Sequence, residues 1–270
     1  MKSLKDLLMM LAQSELSKIH KYRDAHKGES CYIFGDGVSI KWFELDAFSS
    51  KLSISAGGLI PFHKSFSCLN AKYMMLTEPF WFYPGFWTKY VTDSTSMPYI
   101  QQAYRQIICD NPDKQFFLNL SNFPVVRSKN VSYVFRDISD DHLAENFITR
   151  RINAFHGSLR FSITMAIYMG FDHVYLVGCD YTHIPSRSLH WYEKGQGVFR
   201  PIADYNKDFF EIAKEFVDIT TITLDGTSDF INAVTYKEHT GREPMFRENT
   251  ELVDDRYLKT LATWPGYAIY

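Results

Sequence analysis

At 270 residues, with 46% hydrophobic and 16% aromatic content, the chain can bury a large core in one α/β domain, with or without an added subdomain. Its formal charge of -2, from 29 Lys and Arg interspersed with 31 Asp and Glu, provides no basic stripe for a phosphate backbone and excludes nucleic acid as an expected partner. Cys31, Cys68, Cys109 and Cys179 stand singly, without CxxC spacing, and read as core thiols of a reducing, cytoplasmic compartment. No run reaches the roughly 18 apolar residues of a membrane span, and the opening residues lack the order of a secretion signal.

Leu4, Leu7, Leu8, Leu11, Leu16 and Ile19 recur at helical intervals, with Lys2, Lys5, Lys18, Lys21 and Arg23 around the wheel, so residues 1–27 are expected to form an amphipathic helix. Packing on the domain and peripheral contact with anionic lipid are its two readings. Lys27-Gly28-Glu29 closes it. Short runs rich in Val, Ile, Phe, Tyr and Met then follow: Ser30 to Phe34, Lys51 to Ala56, Lys72 to Thr77, Gln115 to Leu120, Ser132 to Phe135, His173 to Val177 and Ile219 to Leu224. Each is bounded by Gly, Pro, Asn or Asp, as strands are. Ser158 to Met169 and Tyr205 to Val217 carry helical periodicity, the latter with Phe209, Ile212, Ala213 and Phe216 on one face.

This order predicts an α/β, Rossmann-like fold, a mostly parallel twisted sheet flanked by helices, over residues 28–239. A C-terminal extension, 240–270, follows; packing on the sheet, contact with another subunit and contact with a lipid acceptor are its readings. The aromatic segment Pro79 to Tyr90 reads as an insertion, either a lid or acceptor platform or a small satellite core under a long loop.

The chemistry concentrates at two strand ends. The first run finishes on Gly35-Asp36-Gly37-Val38-Ser39, where the glycines admit close approach of a ligand and Ser39 is placed to cap a following helix. The full GxGxxG fingerprint and the GxxxxGK[ST] loop are both absent. Much later, Gly157-Ser158-Leu159-Arg160 opens a helix, Gly170 stops it, and the next strand ends on Gly178-Cys179-Asp180. A helix start offers N–H groups to an anion, and ligands of open α/β sheets bind at the carboxyl ends of strands. The loop after Asp180 carries Tyr181, His183, Arg187, His190 and Tyr192, groups that move protons or hold phosphate. Metal ligation is disfavoured, because neither HExxH nor Asp-x-Asp is present.

The pairing of Cys31 to Phe48 with Ile163 to Tyr181 resembles the bacterial sialyltransferases that decorate lipooligosaccharide, and the related family described as 6-hydroxymethylpterin diphosphokinase-like. The resemblance spans Gly28 to Leu224. It implies a glycosyltransferase of cell-surface glycan synthesis (lipooligosaccharide, O-antigen or capsule), at the cytoplasmic face of the inner membrane. The expected donor is a CMP-activated acidic sugar such as sialic acid, and the acceptor a glycan or glycolipid hydroxyl, with no cofactor and no metal. It places His190 as general base, Ser158 with Gly157 at the donor, and Tyr181 and Tyr192 at the leaving phosphate. Arg187 suits the same phosphate. Gly35, Asp36, Gly37, Ser39, Gly57, Glu78, Gly178 and Asp180 complete the expected donor site.

The chain departs from the family's GNGPS by Asp36 and Val38, carries Gly57 and Glu78 where asparagines follow the second and third strands, and has Thr182 in place of a tyrosine. Two alternatives stand beside this reading. One is a Mg-dependent pyrophosphokinase acting on 6-hydroxymethylpterin with ATP, with Asp36, Glu78 and Asp180 as oxygen ligands. The other is a nucleotide-binding protein without chemistry. Self-association is left open.

Overall fold

A computed structural model describes residues 10, 12–76, 78, 81–83, 96–134, 157–182, 184–201, 206–263 and 267–270. Strands β1 (Ser30–Phe34), β2 (Leu52–Ser55), β3 (Asn70–Leu76), β4 (Gln115–Asn119), β5 (Val131–Val134), β6 (His173–Val177), β9 (Asp218–Thr223) and β10 (Asn232–Thr235) form one eight-stranded sheet. Its order is β10-β9-β6-β1-β2-β3-β4-β5, and every pairing in it is parallel. A separate antiparallel hairpin, β7 (Ser186–Ser188) with β8 (Val198–Arg200), follows β6.

Both faces of the sheet are covered, which is why its strands are continuous apolar runs rather than alternating ones. Tyr32, Phe34, Met74, Leu76, Phe116 and Leu118 belong to one core. Their neighbours Cys31, Ile33, Tyr73, Met75 and Phe117 belong to the other. Of the flanking helices, α1 (Ser96–Asp110) joins the first core through Ile100, Tyr104 and Ile108. Helices α2 (Ser158–Tyr168) and α3 (Lys207–Ala213) join the second through Phe161, Ile163, Met165, Phe209 and Phe210. Two short helices, α4 (Tyr236–Thr240) and α5 (Asp255–Leu261), lie in the C-terminal part, where Tyr236 and Leu258 enter the first core.

All seven expected strands are present, two with the expected bounds and five displaced at one or both ends by one or two residues. The hairpin, β10 and helices α1, α4 and α5 are additional. The hairpin and β10 are only three or four residues a strand, too short for a period to show: β7 is all Ser and Arg though largely buried, β8 is exposed and β10 is half-exposed. Helix α1 has its signal in Ile100, Tyr104 and Ile108 at four-residue spacing.

Residues 1–9 and 11 of the expected N-terminal helix lie outside the described residues; within them, 12–16 are helical, Ser17–Tyr22 is a 3-10 turn that buries Ile19, and turns replace the helix expected to run on to residue 27. Of the aromatic segment, Trp81 to Tyr83 is described. These three residues are anchored: Phe82 is buried, its amide donates to Asn122 Oδ1 at 3.1 Å, and Trp81 meets Tyr104 edge-on. Cys31 and Cys179 are buried, Cys68 is half-buried, Cys109 is exposed, and none is paired. Among the described residues no helix is long and apolar enough to cross a membrane.

Candidate functional site

Strand order reverses between β1 and β6: the chain proceeds from β1 outward through β2 to β5, then returns to β6 on the other flank and continues to β9 and β10. Connections diverge there to opposite sides of the sheet and leave a crevice at the carboxyl ends. The ends that meet at this point are the two glycine-bearing bends. Gly35 N–H donates to Val177 O at 2.8 Å, Gly37 N–H to Gly178 O at 2.7 Å, and Ser39 N–H to Asp180 Oδ2 at 3.0 Å.

The contact is close because side chains are missing. A Cβ on Gly37 would lie 2.4 Å from Asp180 Oδ2, and one on Gly35 2.5 Å from Gly178 O. Gly178 adds a positive φ of 67°, open to glycine at little cost. The glycines therefore serve bend-to-bend packing as much as ligand approach.

A cavity of about 180 Å³ opens above this contact. Of the residues expected from sequence, Gly35, Asp36, Gly37, Gly57, Ser158, Gly178, Asp180, Tyr181, Arg187 and His190 line it. Gly157 stands one residue outside as the N-cap of α2, with φ 93°. Because α2 begins at Ser158, its first N–H groups lack intrahelical partners and Ser158 and Leu159 bring them to the cavity wall. Arg187 lies between the rings of Trp42 and Phe199, 4.8 Å from each, a restraint that holds its guanidinium at the cavity.

Three expected site residues, Ser39, Glu78 and Tyr192, take other places or roles. Ser39 does not cap a helix: the N-cap of the 3-10 turn Val38–Trp42 is Gly37, and the Ser39 hydroxyl is buried without a hydrogen-bond partner. Glu78 is outside the cavity lining, its carbonyl accepting from Asn122 Nδ2 at 3.1 Å. Tyr192 is also outside it, 2% exposed and stacked on His190 at 5.0 Å, so it supports the histidine instead of reaching a leaving phosphate.

Asp36 borders the cavity with both carboxylate oxygens committed, Oδ1 to Trp191 Nε1–H at 3.0 Å and Oδ2 to Leu59 N–H at 2.9 Å. Burial pushes its carboxyl above the ordinary range, against the pull of the Leu59 and Trp191 donors and of His190. It braces the loop. A Cβ on Gly57 would lie 2.5 Å from Asp36 Oδ1, so Gly57 makes room for that brace. Asp36, Glu78 and Asp180 do not form a ligand set, and no group of three His, Cys, Asp or Glu suited to a metal occurs among the described residues. His183 lies outside them.

His190 is the best-supported reactive group. Its backbone bridges Gly37, and the next amide, Trp191 N–H, donates to Asp36 O at 3.1 Å, which ties the loop to the first bend. Its Nδ1 lies 2.7 Å from Glu193 Oε1, and the same oxygen accepts its backbone N–H at 3.0 Å. Glu193 Oε2 accepts Ala268 N–H at 2.8 Å. The histidine side chain is 36% exposed and the glutamate 3%, so a buried carboxylate backs an accessible imidazole. Burial would raise the Glu193 carboxyl, but the His190 and Ala268 hydrogen bonds and the His190 charge outweigh it and hold the carboxyl below its ordinary value. With Nδ1–H given to Glu193, the neutral ring presents Nε2 as its basic atom.

Sequence reasoning did not find Glu193, although His190-x-x-Glu193 was there as a signal. It also missed Lys41, whose buried ammonium donates to Gly195 O at 2.7 Å and to Glu193 O and Glu248, pinning the turn behind the histidine. Tyr267, at 5.6 Å from the His190 ring, had no signal at all.

No protein-family model and no curated protein matches the chain. Among solved structures, it is similar to the MAf glycosyltransferase from Magnetospirillum magneticum AMB-1, at 14% identity and a TM-score of 0.47, over 93% of this chain and 41% of that one. The chain thus spans less than half the length of that protein. The geometry of the crevice, not this likeness, carries the functional reading.

Proposed function

We propose that the chain is a metal-independent glycosyltransferase that moves an acidic sugar from a CMP-activated donor to a hydroxyl of a glycan or glycolipid at the cytoplasmic face of the inner membrane. The observation that carries this reading is the Glu193-backed His190 at the mouth of a crevice built from two glycine-bearing strand ends and the start of α2. The donor class comes from the resemblance of Cys31 to Phe48 and Ile163 to Tyr181 to the sialyltransferases.

In the proposed reaction His190 Nε2 takes the proton of the acceptor hydroxyl as its oxygen attacks the anomeric carbon. The bond from that carbon to the CMP phosphate breaks, and the phosphate leaves with the electron pair. The α2 N–H groups, Arg187 and the exposed Tyr181 supply the positive ends of dipoles and the charge that stabilise it. A CMP phosphate is a good leaving group, so these donors suffice without a divalent ion.

His190→Ala is expected to lower kcat for transfer from a CMP-sugar by about 10²- to 10⁴-fold while calorimetric CMP affinity stays within about threefold. An equal loss of CMP affinity would make His190 a binding residue. Activity should survive EDTA. Turnover of ATP that depends on Mg would instead support the pyrophosphokinase reading.

A further inference from the structure

We propose that a second cavity, separated from the crevice by Trp191, binds a neutral, polyhydroxylated ligand of monosaccharide size. The Trp191 indole N–H donates to Asp36 on the crevice side, and its ring meets His63 edge-on at 4.7 Å. His63 lines the second cavity, about 300 Å³, at the small end of ligand sites. This inference does not rest on the transferase reading.

Two nearly buried polar side chains, His63 and Asn249, line the cavity. His63 is 5% exposed and its Nδ1 accepts Ser65 N–H at 3.0 Å, so the neutral ring carries its proton on Nε2. Asn249 is 3% exposed and also lines the cavity. Among the described residues, no protein group hydrogen-bonds His63 Nε2 or the Asn249 carboxamide. Neither belongs to the buried polar atoms left without a partner, so both meet the cavity as hydrated groups whose water a hydroxyl-rich ligand can replace. Burial holds His63 at a pKa of about 4, so the floor is uncharged at neutral pH.

Charge at the mouth selects the ligand class. Glu44 accepts from Arg242 at 3.0 Å and from Arg247, and Arg242 also reaches Asp46 at 2.7 Å. An anion would meet the Glu44 and Asp46 carboxylates and a cation the Arg247 guanidinium, while Arg242 stands outside the lining. A neutral ligand rich in hydroxyls meets neither penalty. Arginine-fixed carboxylates accept from hydroxyls, Asn249 both donates and accepts, His63 donates, and Phe43 and Leu45 offer apolar surface to a C–H face.

Cys68 lines the same cavity and exposed Cys109 does not, so thiol alkylation in the unaltered protein reports occupancy with its own control. The protein is incubated with neutral hexoses, N-acetylhexosamines, a neutral oligosaccharide or inorganic phosphate, and modification of each cysteine is followed by peptide mass. At a sugar concentration about ten times its Kd, Cys68 is expected to react about tenfold more slowly with Cys109 unchanged, and phosphate should have no effect. Protection by monosaccharide and oligosaccharide alike supports a site for a free sugar; protection by the oligosaccharide alone supports a site for a sugar within a chain. No protection by any sugar, protection by phosphate instead, or equal slowing of both cysteines would overturn the proposal. Asn249→Leu should remove the protection and leave CMP affinity unchanged; protection that persists in this variant would also overturn it. CMP affinity measured on the same samples reports separately on the crevice.

Discussion

His190 takes its proposed role from Glu193, because a buried carboxylate on Nδ1 fixes both the tautomer and the direction of the ring. Replacing that carboxylate by an amide keeps the volume but removes the charge that steadies an imidazolium. Glu193→Gln is therefore expected to lower kcat about 10- to 100-fold, the scale seen when a partner that orients a histidine is lost, with KM and CMP affinity unchanged and recovery in Glu193→Asp. A purely structural Glu193 would lose both parameters together in a steady-state assay. His63 gives a second prediction, on stability. Its pKa is lowered by burial from 6.5 to about 4 in the folded protein. Above 6.5 it is neutral in both states and its contribution to stability is fully present. As pH falls from 6.5 toward 4 the unfolded chain takes the proton first, and the contribution is lost, on the order of 3 kcal/mol in total. His173 and His239 are shifted the same way and add to the slope. Urea unfolding across this range should show a shallower loss of stability in His63→Phe than in the parent chain; identical slopes would remove His63 from the account. Residue types alone carried His190, Arg187 and the glycines into view, whereas the bracing role of Asp36 needed Trp191 and Leu59 beside it.

Elements were legible where local patterns and burial coincide. The strands from β1 to β6 are apolar runs between turn residues, and α2 is framed by Gly157 and Gly170, so local chemistry suffices to find them. The hairpin β7 to β8 is three residues a side, with β8 fully exposed, and strands this short carry no periodic signal. The C-terminal segment is the instructive case. Nothing in its composition indicates that Ala268 N–H reaches Glu193, that Ala268 O accepts Lys194 N–H at 2.6 Å, or that Tyr267 lies against His190 and Tyr192. Removing residues 267–270 takes away all of these contacts at once. Because small misplacements of a reacting group are costly, truncation is expected to reduce kcat about tenfold or more while leaving CMP affinity intact. Full activity in the truncated chain, in the same transfer assay, would show that the tail only covers the domain.

At the scale of the molecule, the decisive event is the return of the chain from β5 to β6 beside β1, which sets Gly35 to Gly37 against Gly178 and Asp180 at the reversal of strand order. Everything proposed for the crevice depends on that juxtaposition, and the second cavity depends on Trp191 standing between the two. The amino-acid sequence by itself determined the α/β class, the strands of the sheet's interior and the two bends, because strand burial, helix stops and glycine turns are written in neighbouring residues. Only the tertiary structure decided which polar side chains face the crevice, which brace it, and that a distant C-terminal amide supports the histidine. Those outcomes are set by contacts between residues far apart along the chain, such as Ala268 with Glu193 and Trp191 with Asp36, and no local pattern encodes the geometry of such pairs.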